Sequence, residues 1–241
     1  MKQEILKLEW DSEFFNFNVG KINQSILSQN DLKSIAELMF LGNFKLAYYS
    51  SKHELNIENN TSLEIKFVDK KTTFVKKVNP KLKAHASIFT YNEKIPTDKL
   101  VKLAIQSGVY SRFNVDTKIG RDKFEELYRI WVTKSVEREI AKDVIVYVHD
   151  NETAGYLTIG EKNNRADLGM GSVDSQYRGM GFGRVLFENA EKRAFDLGYT
   201  QIQIVTQGNN IPACQLYESI GYTIESIDYF YHIWNNENDK V

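Results

Sequence analysis

The chain has 241 residues, with 31 Lys plus Arg against 32 Asp plus Glu, a formal net charge of −1, 42% hydrophobic residues and one Cys. This apolar fraction with balanced charge excludes a disordered chain. One Cys excludes an intramolecular disulfide framework, and the absent basic excess argues against a general nucleic-acid binder. The four His (His53, His85, His149, His232) are scattered without metal-ligand spacing. No run approaches the roughly 20 apolar residues of a membrane span. Met1–Lys7 carries Lys and Glu where a signal peptide has its apolar run, so a cytoplasmic protein is expected.

In chain order, Trp10, Phe14, Phe15 and Phe17 form an aromatic segment expected in the core. Val19–Ile22 reads as a short strand. Leu32, Ile35, Ala36, Leu38 and Met39 recur at helical spacing. Leu41-Gly42 ends that helix, and Lys45–Ser50 reads as a strand. Residues 52–61 are polar and read as hairpin-like or loop. Leu63–Val68 and Thr72–Val78 are two β-rich runs with charge between them. Residues 81–97 look irregular up to a helix start at Pro96-Thr97-Asp98, followed by helices over Lys99–Ser107 and Asp122–Val136. Asp143–His149, Thr153–Ile159 and Ala166–Val173 read as strands joined by polar turns. The helix Arg184–Phe195 closes at Leu197-Gly198, before a strand over Gln201–Thr206 and a short helix over Pro212–Ser219. Thr223–Asp228 and Phe230–Trp234 read as two final strands. Helix, Leu-Gly, strand thus occurs twice; the readings are coincidence and an N-terminal half-copy of the C-terminal fold.

The stretch from Val173 to Arg184 lies between a strand and a helix. Gly179, Gly181 and Gly183 alternate there and let backbone approach a ligand. The helix start adds free N–H groups and a partial positive charge, which together suit a diphosphate. The spacing is neither G-x-G-x-x-G nor a P-loop. Taken by itself the turn also reads as a glycine-rich loop with no ligand.

Gln176-x-x-Gly179-x-Gly181 resembles the acetyl-CoA signature Q/R-x-x-G-x-G/A of the GCN5-related N-acetyltransferase (GNAT) family. Further on, Asn210-x-x-Ala213-x-x-Leu216-Tyr217-x-x-x-Gly221-Tyr222 resembles that family's N-x-x-A-x-x-L-Y-x-x-x-G-F landmark. This resemblance covers about residues 100–241. Trp10–Phe15, Ser111-Arg112-Phe113, Leu127–Trp131 and Val205–Asn210 also occur, in the same order, in the TDP-fucosamine acetyltransferase group of the family. The resemblance implies an α/β (α+β) GNAT fold, a mixed and mostly antiparallel sheet flanked by helices. It implies a smaller α/β half-domain over 1–95 and an acetyltransferase domain over 96–241. The implied activity is acetyl transfer from acetyl-CoA to the 4-amino group of a nucleotide-linked 4-amino-4,6-dideoxyhexose, in a ternary complex, for bacterial surface glycans. Acetyl-CoA and a nucleotide-amino-sugar are the implied partners, with no metal, nucleic acid or membrane. A homodimer formed across a sheet edge stays open.

The same resemblance implies cofactor contacts from Gly171, Ser172 and Val173, on a strand that splays from its neighbour. It implies further contacts from Arg178, Gly179, Met180, Gly181, Phe182, Gly183 and Arg184. The N–H of Val173 or a nearby residue would stabilise the oxyanion. Tyr217 is the expected general acid for the departing thiolate; it follows Asn210 by seven residues, on the same helix face. Asn210 has two readings, a CoA contact and a cap ahead of Pro212. Ser111, Arg112 and Phe113 would bind the acceptor, Arg112 at a diphosphate and Phe113 against a sugar or base. Cys214 has no His beside it, which favours direct attack by the amine over an acyl-enzyme. Glu161, Asp167 and Asp174 read as turn or surface charges, and no general base is assigned. Two other functions stay open: acetylation of a different amine (protein N-terminus, lysine or polyamine), and a non-catalytic CoA-binding module.

Overall fold

The computed structural model describes residues 4–59 and 62–236. In chain order the elements are β1 (Ile5–Lys7), α1 (Glu9–Phe15), β2 (Asn18–Ile22), α2 (Leu32–Leu41), β3 (Phe44–Ser51), β4 (Leu63–Lys77) and β5 (Ile88–Thr90). There follow α3 (Asp98–Ser107), α4 (Arg112–Val115), α5 (Arg121–Val136), β6 (Asp143–His149), β7 (Glu152–Lys162) and β8 (Arg165–Val173). The chain ends with α6 (Phe182–Asp196), β9 (Gln201–Gln207), α7 (Ile211–Ser219) and β10 (Thr223–Asn235). Contacts divide the chain into two compact units, Met1–Lys71 with Ile227–Val241, and Thr72–Ser226. The chain passes between them inside β4 and inside β10. This division lies at 71/72, whereas the sequence placed a boundary at 95/96.

In the first unit β1 runs antiparallel to β2, and β2 runs parallel to β3 through the α2 crossover. β10 then pairs antiparallel with β3, Tyr231 opposite Tyr49. A reciprocal Ser28–Asp31 capping box precedes α2, whose Leu32, Ile35 and Met39 pack with Tyr49, Leu63 and Ile233. Of the N-terminal aromatics expected in the core, only Phe15 is buried. Trp10 is 43% exposed and stacks on Phe14 at 5.2 Å, because α1 is a short helix that turns only one face inward. The two runs at 63–78 form a single strand, as do the two at 223–234. Charge does not break them: Lys70 and Lys71 lie over the Tyr229 and Phe230 rings at 6.0 and 5.6 Å, and Asp228 pairs with Lys52 at 2.6 Å.

In the second unit the strand order is β4-β9-β8-β7-β6-β5. β5 to β8 form an antiparallel meander, and α6 carries the chain over to a parallel β9. Alternation along β6 sends Val144 and Val146 to one face, with Leu100, Leu103 and Ala104 of α3 and Val132 and Val136 of α5. Ile145 and Tyr147 go to the other face, with Phe182, Leu186, Phe187 and Ala190 of α6 and Tyr217 of α7. Helices therefore cover both faces of a mixed, mostly antiparallel sheet. This is the GNAT fold expected from the motifs.

Candidate active site

The site begins where two strands part. β8 and β9 pair from Ala166–Ile202 to Leu168–Ile204 and no further. Just beyond, β8 bulges between Leu168 and Gly171 opposite Leu157 and Ile159, and Thr158 Oγ1 accepts the spare Met170 N–H at 2.9 Å. β8 then stays with β7, Ser172 opposite Tyr156 and Val173 opposite Gly155. The Asp174 N–H donates to the Ala154 carbonyl at 2.8 Å, which makes Gly155–Val173 a non-hydrogen-bonded pair. The N–H and C=O of Val173 therefore point away from β7, towards the side without β9. Those of Gly171, two residues earlier, point the same way.

A cavity of about 580 Å³ occupies this side. Gly171, Ser172 and Val173 form one wall, and Arg178, Gly179, Gly181, Phe182, Gly183 and Arg184 at the start of α6 form the next. Asn210 and Tyr217 reach it from α7, and Gln106, Ser107, Val109 and Tyr110 close it from α3 and the turn after it. The cavity thus gathers Tyr217 and all the expected cofactor residues but Met180, whose side chain is 53% exposed. Gly179 and Gly181 have φ of +78° and +82° with open space around a Cβ. Backbone conformation, not crowding, calls for glycine there. Gly183 differs: its Cβ would stand 3.1 Å from Leu216.

Ser111, Arg112 and Phe113 are not in the cavity lining. Phe113 is buried edge-on to Trp131 of α5 at 5.8 Å, and the Arg112 guanidinium lies 4.6 Å from the Phe113 ring. The short helix α4 turns Phe113 inward, and Val109 and Tyr110, not this triple, line the cavity. Sequence reasoning missed Gln106, Ser107, Val109, Tyr110 and Tyr156. The available signal was small: Ser107 continues the Leu100, Leu103 and Ala104 face of α3, and Gln106 follows Lys99 by seven residues on its flank.

Tyr217 is 7% exposed and packs against Phe74 and Phe187 at 5.5 and 4.9 Å. Burial pushes its phenol above the usual tyrosine range, against a smaller opposing effect of the nearby Thr206 side chain. Asn210 caps α7, its Oδ1 accepting the Ala213 N–H at 3.4 Å, and also lines the cavity. Cys214 is half-buried beside the Gln207 carbonyl and outside the lining. The three acids near the strand ends are engaged elsewhere. Glu161 bonds Lys142 and the Tyr199 hydroxyl, Asp167 accepts from Gln203, and Asp174 pairs with Lys99 at 2.5 Å. These bonds hold the carboxyls of Glu161 and Asp174 below the usual range, through Lys142 and Lys99 first. Among the described residues no cluster of three or more His, Cys, Asp or Glu is placed to hold a metal. Among them, too, no helix is long and apolar enough to cross a membrane.

Residues 108–222 match the sequence model of the Acetyltransferase (GNAT) family. Over 144 residues, 60% of this chain, the sequence is 26% identical to the spore coat polysaccharide biosynthesis protein SpsD of Bacillus subtilis (strain 168), covering 50% of that protein. Over 82 residues, 34% of this chain, it is 35% identical to a streptothricin acetyltransferase from Escherichia coli, covering 47% of it. The chain spans about half the length of these curated relatives. The crystal structure of a GNAT-family protein from Novosphingobium aromaticivorans DSM 12444 superposes with a TM-score of 0.52 at 11% identity, over 79% of this chain and 74% of that one. Residues 108–222 are thus similar in sequence to the acetyltransferase (GNAT) family, and the fold is the GNAT fold.

Proposed function

We propose that the chain is an acetyl-CoA-dependent N-acetyltransferase that acts by direct attack in a ternary complex on the 4-amino group of a nucleotide-linked 4-amino-4,6-dideoxyhexose. The observation that carries this reading is the open edge of β8: outward N–H groups at Gly171 and Val173 face the cavity that the glycine turn and Tyr217 also line. The free N–H groups at the start of α6 receive the CoA diphosphate. Backbone N–H at the β8 tip receives the acyl oxygen as negative charge develops on it. The amine nitrogen bonds to the acyl carbon and the carbon–sulfur bond breaks. Tyr217 gives its proton to the departing thiolate, the proton from the amine passes to water, and water returns a proton to the Tyr217 phenolate. Ordinary solvent exchange serves for these last steps, since no carboxylate lines the cavity.

Two features support a sugar nucleotide as acceptor. The lining holds no Asp or Glu, which does not suit a polycationic acceptor. The match to a protein named for polysaccharide biosynthesis points the same way. A half-domain related to the catalytic one remains part of this proposal, because each unit contains a parallel strand–helix–strand step, β2-α2-β3 and β8-α6-β9.

The test is thiol release from acetyl-CoA by the purified chain over a panel of TDP- and UDP-linked amino sugars, with product masses. Spermidine and a lysine peptide are run beside them. Release with a 4-amino-4,6-dideoxyhexose nucleotide is expected. Release with spermidine or the peptide alone overturns the acceptor, and binding of acetyl-CoA without turnover of any amine overturns the enzyme.

A further inference from the structure

The tip of β8 is tied to α3 at three consecutive residues. Ser172 Oγ donates to the Leu103 carbonyl at 2.8 Å, Gln106 Nε2 donates to the Val173 carbonyl at 2.7 Å, and Lys99 Nζ pairs with Asp174 at 2.5 Å. Two of these ties involve side chains of β8 and the turn after it. The Gln106 bond is different in kind, because it engages a strand carbonyl on the side where β9 has departed.

The N–H and C=O of one extended residue point the same way. Val173 therefore offers a donor and an acceptor side by side at the cavity wall. The donor suits an acyl oxygen; a bare carbonyl beside it repels one. A ladder strand would remove that carbonyl by pairing, but β9 ends its pairing with β8 at Leu168. The Gln106 amide takes the place of the missing strand.

We propose that Gln106 is a positioning residue for the acyl carbonyl: it occupies the outward Val173 carbonyl, so that the Val173 N–H is presented without its own carbonyl as a competing acceptor. This rests on the acetyl-CoA reading above. Gln106 acts through Val173 and transfers no proton. Its effect belongs to polarisation of the thioester carbonyl, not to the affinity for CoA, which the α6 end supplies.

The experiment uses the full chain and acetyl-CoA labelled with ¹³C at the acetyl carbonyl, without any acceptor. Binding to the wild-type chain is expected to move the carbonyl resonance downfield of its position in solution. Gln106→Met, near in shape but without a donor, is expected to bind acetyl-CoA within about threefold of wild type by calorimetry. It is expected to lose about half or more of the downfield displacement. Gln106→Glu keeps length and shape while presenting an acceptor to the Val173 carbonyl, and carries the same expectation should the Met variant fail to fold. A wild-type displacement in a folded variant overturns the proposal. So does a loss of affinity that tracks the loss of displacement, which marks a packing role. If the wild-type chain itself takes up no acetyl-CoA, the calorimetry shows it before any variant is made, and the acetyl-CoA reading falls with this one.

Discussion

Burial holds the Tyr217 phenol protonated beyond pH 10, so the proton intended for a thiolate is in place across the physiological range. An alkaline fall in turnover below pH 10 then belongs to some other group. Removing the hydroxyl tests the role directly. Tyr217→Phe keeps the ring packed on Phe74 and Phe187. Acetyl transfer is expected to fall by about 100-fold, with the CoA dissociation constant held within about twofold; turnover equal to wild type removes Tyr217 from the chemistry. Tyr217, Asn210 and the glycine turn were legible in the sequence because each belongs to a local pattern whose spacing sets its geometry. Gln106 and Tyr110 were not, because only the docking of α3 beside β8 brings them to the cavity. Ser111, Arg112 and Phe113 misled for the same reason: a four-residue helix decides which way Phe113 turns, and nothing periodic announces it.

The helix that carries Asn210 and Tyr217 is held from behind by a charged contact. Lys76 on β4 donates to Glu191 of α6 and to the Ile220 carbonyl at the end of α7, each at 2.7 Å. The other Glu191 oxygen accepts the Asn79 N–H at 2.7 Å. Glu191 is 1% exposed, so a variant that removes its cation strands a buried carboxylate. Lys76→Met is expected to lower stability by about 3 kcal/mol, read as a lower urea midpoint, while Lys76→Met with Glu191→Met recovers most of the loss. A single variant as stable as wild type shows that the pair holds nothing. Sequence periodicity did not expose this contact: Phe187, Ala190 and Ala194 mark the buried face of α6, and Glu191 sits beside them as an ordinary helix charge. Elements with a strong period of their own were legible, such as Asp143–His149 and the helix at 99–107, to within a residue at each end. β4 and β10 were each read as two runs, β4 because charge interrupts its apolar residues. β5, α1 and α4 are too short for a period to emerge.

At the scale of the molecule, charge is nearly cancelled, at −1, and the proposed diphosphate binding draws on oriented N–H groups and two arginines. Large pH effects on folding therefore come from buried groups. Tyr156, Tyr217 and Tyr222 all lie in the second unit, and burial is the largest influence raising each phenol above the usual range. In the unfolded chain a tyrosine ionises near pH 10. The folded state keeps these three protonated past that point, so their contribution is intact below about pH 10 and is lost as pH rises further. Each contributes a slope of about 1.4 kcal/mol per pH unit, and the three together about 4. Against a stability of roughly 5–15 kcal/mol, that slope unfolds the second unit one to a few pH units above 10. The expected record is a urea midpoint steady from pH 8 to about 9.5 and falling steeply above pH 10, with phenolate absorbance appearing together with unfolding. Lysines titrate in the same interval, and Tyr222→Phe separates their part. The Tyr222 hydroxyl is buried with no hydrogen-bond partner, so its removal costs little at neutral pH and reduces the alkaline slope by about a third. An unchanged slope in that variant, or phenolate absorbance in a chain still folded, shows that these phenols are open to solvent and overturns the burial argument for all three.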